Sequence, residues 1–250
     1  MMESYRDLAR SYDALTQDVG YEKRADFIEK LFRRAKMPVK TVLDLACGTG
    51  SMSAILMQRG YEMIAADASE DMLAAAREKT AQLSGEPPVF LHQSMPRLDL
   101  YGTVDAAICC LDSLNYLTAP RDVRKTFERL RLFVAPGGVL VFDVLTPARI
   151  AALDGQVFFD ESEDLYCTWR AFYSARSRTV TYYMDIFRRM KGDLWHRSEE
   201  VHRERAYTVE ELTRYLTEAG FTAIKTHGDC TLSPARKDAQ RIYFSCIRGK

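Results

Sequence analysis

The sequence predicts an α/β fold: a doubly wound, mostly parallel sheet of seven strands carrying an inserted small antiparallel β lid. Three observations lead there. From about residue 41 the text alternates short apolar, β-rich runs with helical stretches. A glycine-rich turn follows the first run, and an acid closes the second. Between about residues 156 and 207 the alternation gives way to consecutive aromatic and β-branched segments. Repeated strand–helix units of this size imply parallel strands joined by right-handed crossovers.

The elements follow in order. Residues 1–36 read as a helical cap that precedes the sheet. TVLDLA (41–46) is the first strand, and it stops at Cys47-Gly48-Thr49-Gly50; residues 51–59 then read as a helix. YEMIAAD (61–67) is the second strand. Ser69 is placed to cap an Ala-rich helix whose first turn holds Glu70 and Asp71. VFLH (89–92) and VDAAICCL (104–111) are the third and fourth strands. Asp122 to Val134 is an amphipathic helix, Pro136-Gly137-Gly138 a turn, and VLVFDV (139–144) the fifth strand. YCTWRAFY, TVTYYMDIFRRM and LWHRSEEVHRERAY, separated by polar breaks, predict a small antiparallel sheet within an insertion of residues 151–207. Thr208 and Glu211 have capping-box spacing at the head of a helix that Gly220 ends. FTAIKTH (221–227) and RIYFSCI (241–247) are the last two strands, so residues 37–150 and 208–250 together make the core domain.

Composition narrows the function classes. A chain of 250 residues, 47% hydrophobic, can bury one substantial core. Lys plus Arg is 35 and Asp plus Glu is 35, so there is no basic excess for phosphate neutralisation and no nucleic-acid partner is expected. Near-zero net charge also gives little colloidal repulsion, which leaves a homodimer open. The six cysteines include no C-x-x-C pair, and four lie in apolar, strand-like text. They predict buried thiols in a reducing cytoplasm, without a metal site. MMESYRDLAR carries charge where a signal peptide needs an apolar run, and no apolar stretch approaches ~20 residues, so no membrane span is expected.

Open α/β sheets bind ligands beyond the carboxyl ends of their strands, where the strand order reverses. The segment Asp44-Leu45-Ala46-Cys47-Gly48-Thr49-Gly50 lies at such an end. A glycine turn there lets a ligand approach the backbone, since no Cβ intervenes. Asp67, 19 residues after Gly48, has the place and chemistry to accept hydrogen bonds from both hydroxyls of a ribose. The two features predict a nucleoside cofactor. They do not match the dinucleotide fingerprint, because Ser53 stands at its third position and Asp44 is not part of it.

The Asp44–Gly50 segment resembles the first motif of the class I S-adenosylmethionine-dependent methyltransferases, with Ala46 where that family often has glycine. Leu111-Asp112-Ser113-Leu114-Asn115-Tyr116-Leu117, the Tyr5…Ala9…Tyr12-Asp13 pattern and the Pro136-Gly137-Gly138 turn look like those of a bacterial small-molecule subgroup. Sugar N-methyltransferases of antibiotic pathways share the architecture, including an insertion after the fifth strand. The resemblance implies a Rossmann-like methyltransferase fold, S-adenosylmethionine as cofactor, S-adenosylhomocysteine as product, and a small-molecule acceptor, with an amine favoured. It implies that Asp44 orients the loop and helps hold the methionine ammonium. It also implies that Tyr5, Tyr12 and Tyr21 close over the cofactor from an N-terminal helix, for which the alternative is an aromatic stripe packed on the core. At the third strand end, where the family usually has an acid, this chain has Gln93-Ser94-Met95, so Ser94 faces the adenine amino group as a neutral acceptor.

The candidate cofactor site is therefore Tyr5, Tyr12, Asp44, Ala46, Cys47, Gly48, Gly50, Asp67, Ala68, Ser94, Met95, Leu111 and Asp112. Asn115, Tyr116 and His202 are the candidates for orienting the acceptor or moving its proton. Asp112 reads equally as a cap of the following turn. Strand alternation puts His196, Ser198, Glu200, His202 and Glu204 on one polar face, lining a wet pocket or solvated, and either histidine reads first as an ordinary exposed strand residue. Other readings are an RNA or protein methyltransferase, a non-catalytic binder of the cofactor, a dehydrogenase, and a metal-assisted O-methyltransferase using Asp112 and Asp143. The Pro-Pro-aromatic motif of amino-methylating DNA enzymes is missing after the fourth strand.

Overall fold

The computed structural model describes residue 9 and residues 11–250. Its larger sheet is built from β1 (Thr41–Leu45), β2 (Glu62–Asp67), β3 (Val89–His92), β4 (Val104–Cys109), β5 (Val134–Leu145), β10 (Phe221–His227) and β11 (Arg241–Arg248). The four strands between β5 and β10 form a second sheet: β6 (Val157–Glu161), β7 (Leu165–Ser174), β8 (Thr179–Arg189) and β9 (Trp195–Arg205). The larger sheet runs in the order β10-β11-β5-β4-β1-β2-β3, parallel from β3 to β5, with β11 antiparallel to both its neighbours. This bears out the predicted fold class, and the order reverses between β1 and β4.

Alternation along these strands sends side chains to two cores. Val42, Ala106, Ile108, Val139, Val141 and Tyr243 meet α2 (Tyr21–Phe32) and α3 (Ser51–Gln58) on one face. Leu43, Ala107, Leu140, Phe142 and Phe244 meet α5 (Pro120–Phe133) and α7 (Val209–Glu218) on the other. Strands covered on both faces read as near-continuous apolar runs, which is why they were legible. The helix starts follow their caps. Ser69 Oγ accepts the Met72 N–H at the head of α4 (Glu70–Ala81), and Thr208 with Glu211 closes a reciprocal capping box on α7.

Three expectations need correction. The fifth strand begins at Val134, not 139, because Pro136-Gly137-Gly138 makes a bulge within the sheet rather than a turn outside it: Val134 pairs with Val104, and Val139 with Ala106. The fourth strand ends at Cys109, since Leu111 and Asp112 turn left-handed. The insertion has four strands rather than three segments, β6 gaining its conformation by pairing along the edge of β7.

The smaller sheet is antiparallel throughout, in the order β6-β7-β8-β9. Its inner face packs Cys167, Ala171, Val180, Tyr182, Met184 and Ile186 against Ile150 and Leu153 of the segment containing α6 (Pro147–Ala151). Before the sheet lie α1 (Tyr12–Leu15), a short 3-10 turn and α2. Among the described residues no helix is long and apolar enough to cross a membrane.

Candidate active site

The reversal point of the large sheet opens a crevice, and the turn after β1 forms its floor. Ala46, Gly48 and Gly50 all have positive φ, at 61°, 56° and 74°. Gly50 is needed for close packing, because a Cβ there would lie 2.8 Å from Ala76 Cβ on α4. Gly48 differs: nothing lies within 4 Å of where its Cβ would stand, so its bare face looks into open space. Asp67, at the end of β2, accepts the Gly48 N–H at 2.9 Å and the Ser69 N–H at 2.8 Å, one on each oxygen. A carboxylate oxygen has room for a further donor, and these two border a cavity of about 390 Å³ lined also by Ala68, Met72, Ser94, Met95 and Leu117. Burial pushes the Asp67 carboxyl up, against the backbone N–H groups that pull it down.

A smaller cavity of about 40 Å³ adjoins the other side of the turn, walled by Asp44, Ala46, Cys47, Gly48, Tyr21 and Leu111. Asp44 is buried and accepts the Ser53 hydroxyl at 2.6 Å. Desolvation pushes its carboxyl up to about 6, the Ser53 hydrogen bond opposing. No cation pairs with it among the described residues, which suits it to a ligand ammonium.

Tyr12 borders both these cavities and a third. Its helix is too short to hold itself in place and is tied down by Asp13. The Thr49 hydroxyl donates to Asp13 at 2.6 Å, and Lys79 Nζ of α4 reaches Asp13 at 2.8 Å and Ser51 at 2.6 Å. One carboxylate thus joins the cap to the glycine turn, α3 and α4.

The loop after β4 is strained. Leu111 and Asp112 follow one another at φ 57° and 51°, a region that Asp tolerates but that costs a Leu. The fully buried Asp143 of β5 holds them there, accepting the Leu111 N–H at 2.8 Å and the Asp112 N–H at 3.1 Å. Arg241 of β11 then spans the two acids, donating to Asp143 and, at 2.5 Å, to Asp112. Burial pushes Asp143 up while Arg241 pulls it down. The Asp112 side chain therefore makes no cap, and a guanidinium stands where a metal between Asp112 and Asp143 would need to be.

Beyond this loop lies the third cavity, of about 480 Å³. Phe158, Trp169, Tyr182 and Leu153 give it apolar walls; Arg149, Asp160, His202 and Glu204 give it polar ones. Tyr12, Ser113 and Tyr116 border both this cavity and the 390 Å³ one, so they stand at the junction. His202 Nε2 lies 2.9 Å from Glu200, and its ring meets Tyr116 edge-on with centroids 5.9 Å apart.

The structure brings Tyr12, Asp44, Ala46, Cys47, Gly48, Asp67, Ala68, Ser94, Met95, Leu111, Asp112, Tyr116 and His202 onto the walls of these connected cavities. Gly50 supports from behind, and Tyr5 lies outside the described residues. Asn115 is placed differently from the expectation. It is fully buried, donating from Nδ2 to the Arg205 carbonyl at 2.8 Å and accepting the Leu145 N–H at 3.1 Å. Its amide pins β5 to β9 and does not face an acceptor. His202 is buried at 3% exposure, not an exposed strand residue, whereas His196 on the same strand face is exposed. Asp13, Arg241 and Glu204 were not picked out as site residues. For Glu204 the alternation of β9 was the available signal, but its burial comes from the loop packed over it.

Known proteins resemble the chain along its whole length. A family model described as a methyltransferase domain matches residues 42–138. The chain is 33% identical over 249 residues to the Bacillus subtilis (strain 168) protein named "Putative methyltransferase YqeM", with 98% of each covered. It is 28% identical over 228 residues to a Streptomyces fradiae protein, the dTDP-3-amino-3,6-dideoxy-alpha-D-glucopyranose N,N-dimethyltransferase, covering 86% of this chain and 84% of that one. Its fold matches the crystal structure of an S-adenosylmethionine-dependent methyltransferase from Clostridium acetobutylicum ATCC 824 with a TM-score of 0.88 and 28% identity, over 98% and 99% of the two chains.

Proposed function

Given that the chain belongs to the class I S-adenosylmethionine-dependent methyltransferases, we propose that it transfers a methyl group to the nitrogen of a small-molecule amine. S-adenosylmethionine, when bound, supplies a methyl group made electrophilic by its sulfonium. The residues present fit it. The open face of Gly48 and the free lone pairs of Asp67 suit a ribose diol, and buried Asp44 suits an ammonium. Ala68, Met72, Ser94, Met95 and Leu117 suit an adenine ring.

What remains for the chain is to bring the nucleophile to the methyl carbon and keep water out. The observation that carries the reading is the set of residues Tyr12, Ser113 and Tyr116 shared by a cofactor cavity and a second, which the inserted sheet walls in part. A volume of about 480 Å³ with aromatic walls suits a small molecule rather than a polymer. Acid groups in that cavity, together with the amino-sugar relative, favour an amine over an alcohol. In this reading Tyr116 orients the acceptor, and Asn115 is a positioning residue that sets the Tyr116 turn through β5 and β9. The free thiols suit work in the cytoplasm.

The test is transfer of label from methyl-tritiated S-adenosylmethionine into a fractionated metabolite extract. Label is expected in small amines, and reductive methylation of the extract's amines beforehand abolishes it. Label only in protein or RNA, or label indifferent to amine blocking, overturns the reading.

A further inference from the structure

The acceptor cavity contains a buried acid with an unsatisfied oxygen. Glu204 lies on the inner face of β9, in register with Val180 of β8, and is 4% exposed. The Tyr116 hydroxyl stands close enough to draw its carboxyl down. Its Oε2 has no hydrogen-bond partner among the described residues. Arg241 and Arg149 both border the same cavity. Arg241 is engaged by Asp112 at 2.5 Å and by Asp143. No ion pair joins either arginine to Glu204 among the described residues, and His202, two residues away on the same face, has its Nε2 at Glu200. Tyr182, beside Glu204 on the neighbouring strand, brings no positive charge, and Asp112 adds a like charge. A buried carboxyl oxygen without a partner carries the full cost of desolvation. That cost is relieved by a ligand that brings a proton or a donor to it.

We propose that Glu204 Oε2 is the group that receives the acceptor's N–H and takes up its proton, making it both the specificity determinant for an amine and the base for methyl transfer. The proposal rests on the amine reading above and assigns it to a residue. Amine and carboxyl hold one proton between them. When the proton leaves nitrogen, the N–H bond breaks, its electron pair stays on nitrogen as the lone pair needed for attack, and an O–H bond forms at Oε2. With the proton on nitrogen instead, the pair is an unreactive ammonium beside a carboxylate. Burial penalises both charges of that second form and so favours the nucleophilic one. Burial, reinforced by Asp112 and opposed by Arg241 and Tyr116, also pushes the Glu204 carboxyl well up, which makes it a better proton acceptor for an amine than an exposed glutamate. A neutral alcohol of the same shape can donate its O–H to Oε2 but is too weak a base to share the carboxyl's proton, so it gains less there than an amine does.

The test uses the full-length protein saturated with S-adenosylhomocysteine, titrated with cyclohexylamine and with cyclohexanol by ligand-observed NMR. Wild type is expected to bind the amine about tenfold or more tightly than the alcohol, in line with the worth of one good hydrogen bond to a buried, otherwise unsatisfied carboxyl oxygen. In Glu204→Gln the preference is expected to fall to near parity, while affinity for S-adenosylhomocysteine stays within about twofold, which also reports that the variant folds. A preference that survives in E204Q overturns the assignment to Glu204 alone. Equal binding of amine and alcohol by wild type overturns it together with the amine reading, and needs no variant to fold.

Discussion

If Asp44 holds the cofactor's ammonium, as proposed above, one buried side chain ties cofactor affinity to pH. Its ordinary value of 3.8 rises to about 6 because burial disfavours the charged form. Folding with a raised carboxyl takes up protons between those values. The stability this supplies is complete below 3.8 and is lost as pH rises through about 6. Attraction for a ligand ammonium runs the other way, since only the ionised form supplies it. Affinity for S-adenosylhomocysteine is therefore expected to increase as pH rises through about 6, and Asp44→Asn to flatten that dependence; calorimetric titrations at pH 5 and pH 7.5 measure it. Asn115 works by geometry instead. Asn115→Ala leaves the Arg205 carbonyl and the Leu145 N–H without partners, which costs roughly 1–3 kcal/mol for each group left unsatisfied. Denaturant unfolding is expected to show that loss, with cofactor affinity nearly unchanged.

At the scale of elements, the cap depends on a handful of polar contacts. Among the described residues, Asp13 alone connects α1 to Thr49 and Lys79, and through Lys79 to Ser51. Its side chain is about half exposed, so the ion pair contributes little to global stability. Its consequence is local, because it holds Tyr12 over the point where three cavities meet. Asp13→Ala is expected to leave the melting temperature within a few degrees of wild type. Dissociation of S-adenosylhomocysteine, followed by stopped-flow fluorescence, is expected to speed up several-fold. The inserted sheet is held more firmly: Arg178, just before β8, makes a two-pronged pair with Glu211 of α7, at 2.9 and 2.6 Å. The same glutamate completes the α7 capping box, so one residue serves both the helix and the joint between the two sheets.

Across the whole molecule, Arg241 joins parts of the chain far apart in sequence. From β11 it reaches Asp143 on β5 and Asp112 in the loop after β4, and so links the last strand to the strained turn at the junction of the cavities. Removing it leaves Asp143 fully buried with its charge uncompensated. Arg241→Met is expected to cost about 3–5 kcal/mol, the range for breaking a buried ion pair by deleting one partner. Urea unfolding measures that cost, and hydrogen exchange at the Leu111 and Asp112 amides is expected to rise with it.

Most of the large sheet could be read directly, because a parallel strand covered on both faces writes its state into a run of apolar residues; VLDL, VDAAIC and VLVFDV are such runs. The glycine turn and Asp67 were legible for a related reason, since backbone exposure and an acid at a strand end are local requirements. The edge strand β6 and the bulge in β5 were not, as pairing partners distant in sequence decide both. The roles of polar residues after β4 and along β9 were equally hidden. Alternation along β9 placed His196 and Glu204 on one face, but only packing against the Ser113–Tyr116 turn left one exposed and the other buried. Local chemistry and periodicity thus determined the fold and the cofactor turn. Which polar groups are paired, buried or left facing a cavity was decided by tertiary contact, because desolvation depends on neighbours that strand periodicity does not specify.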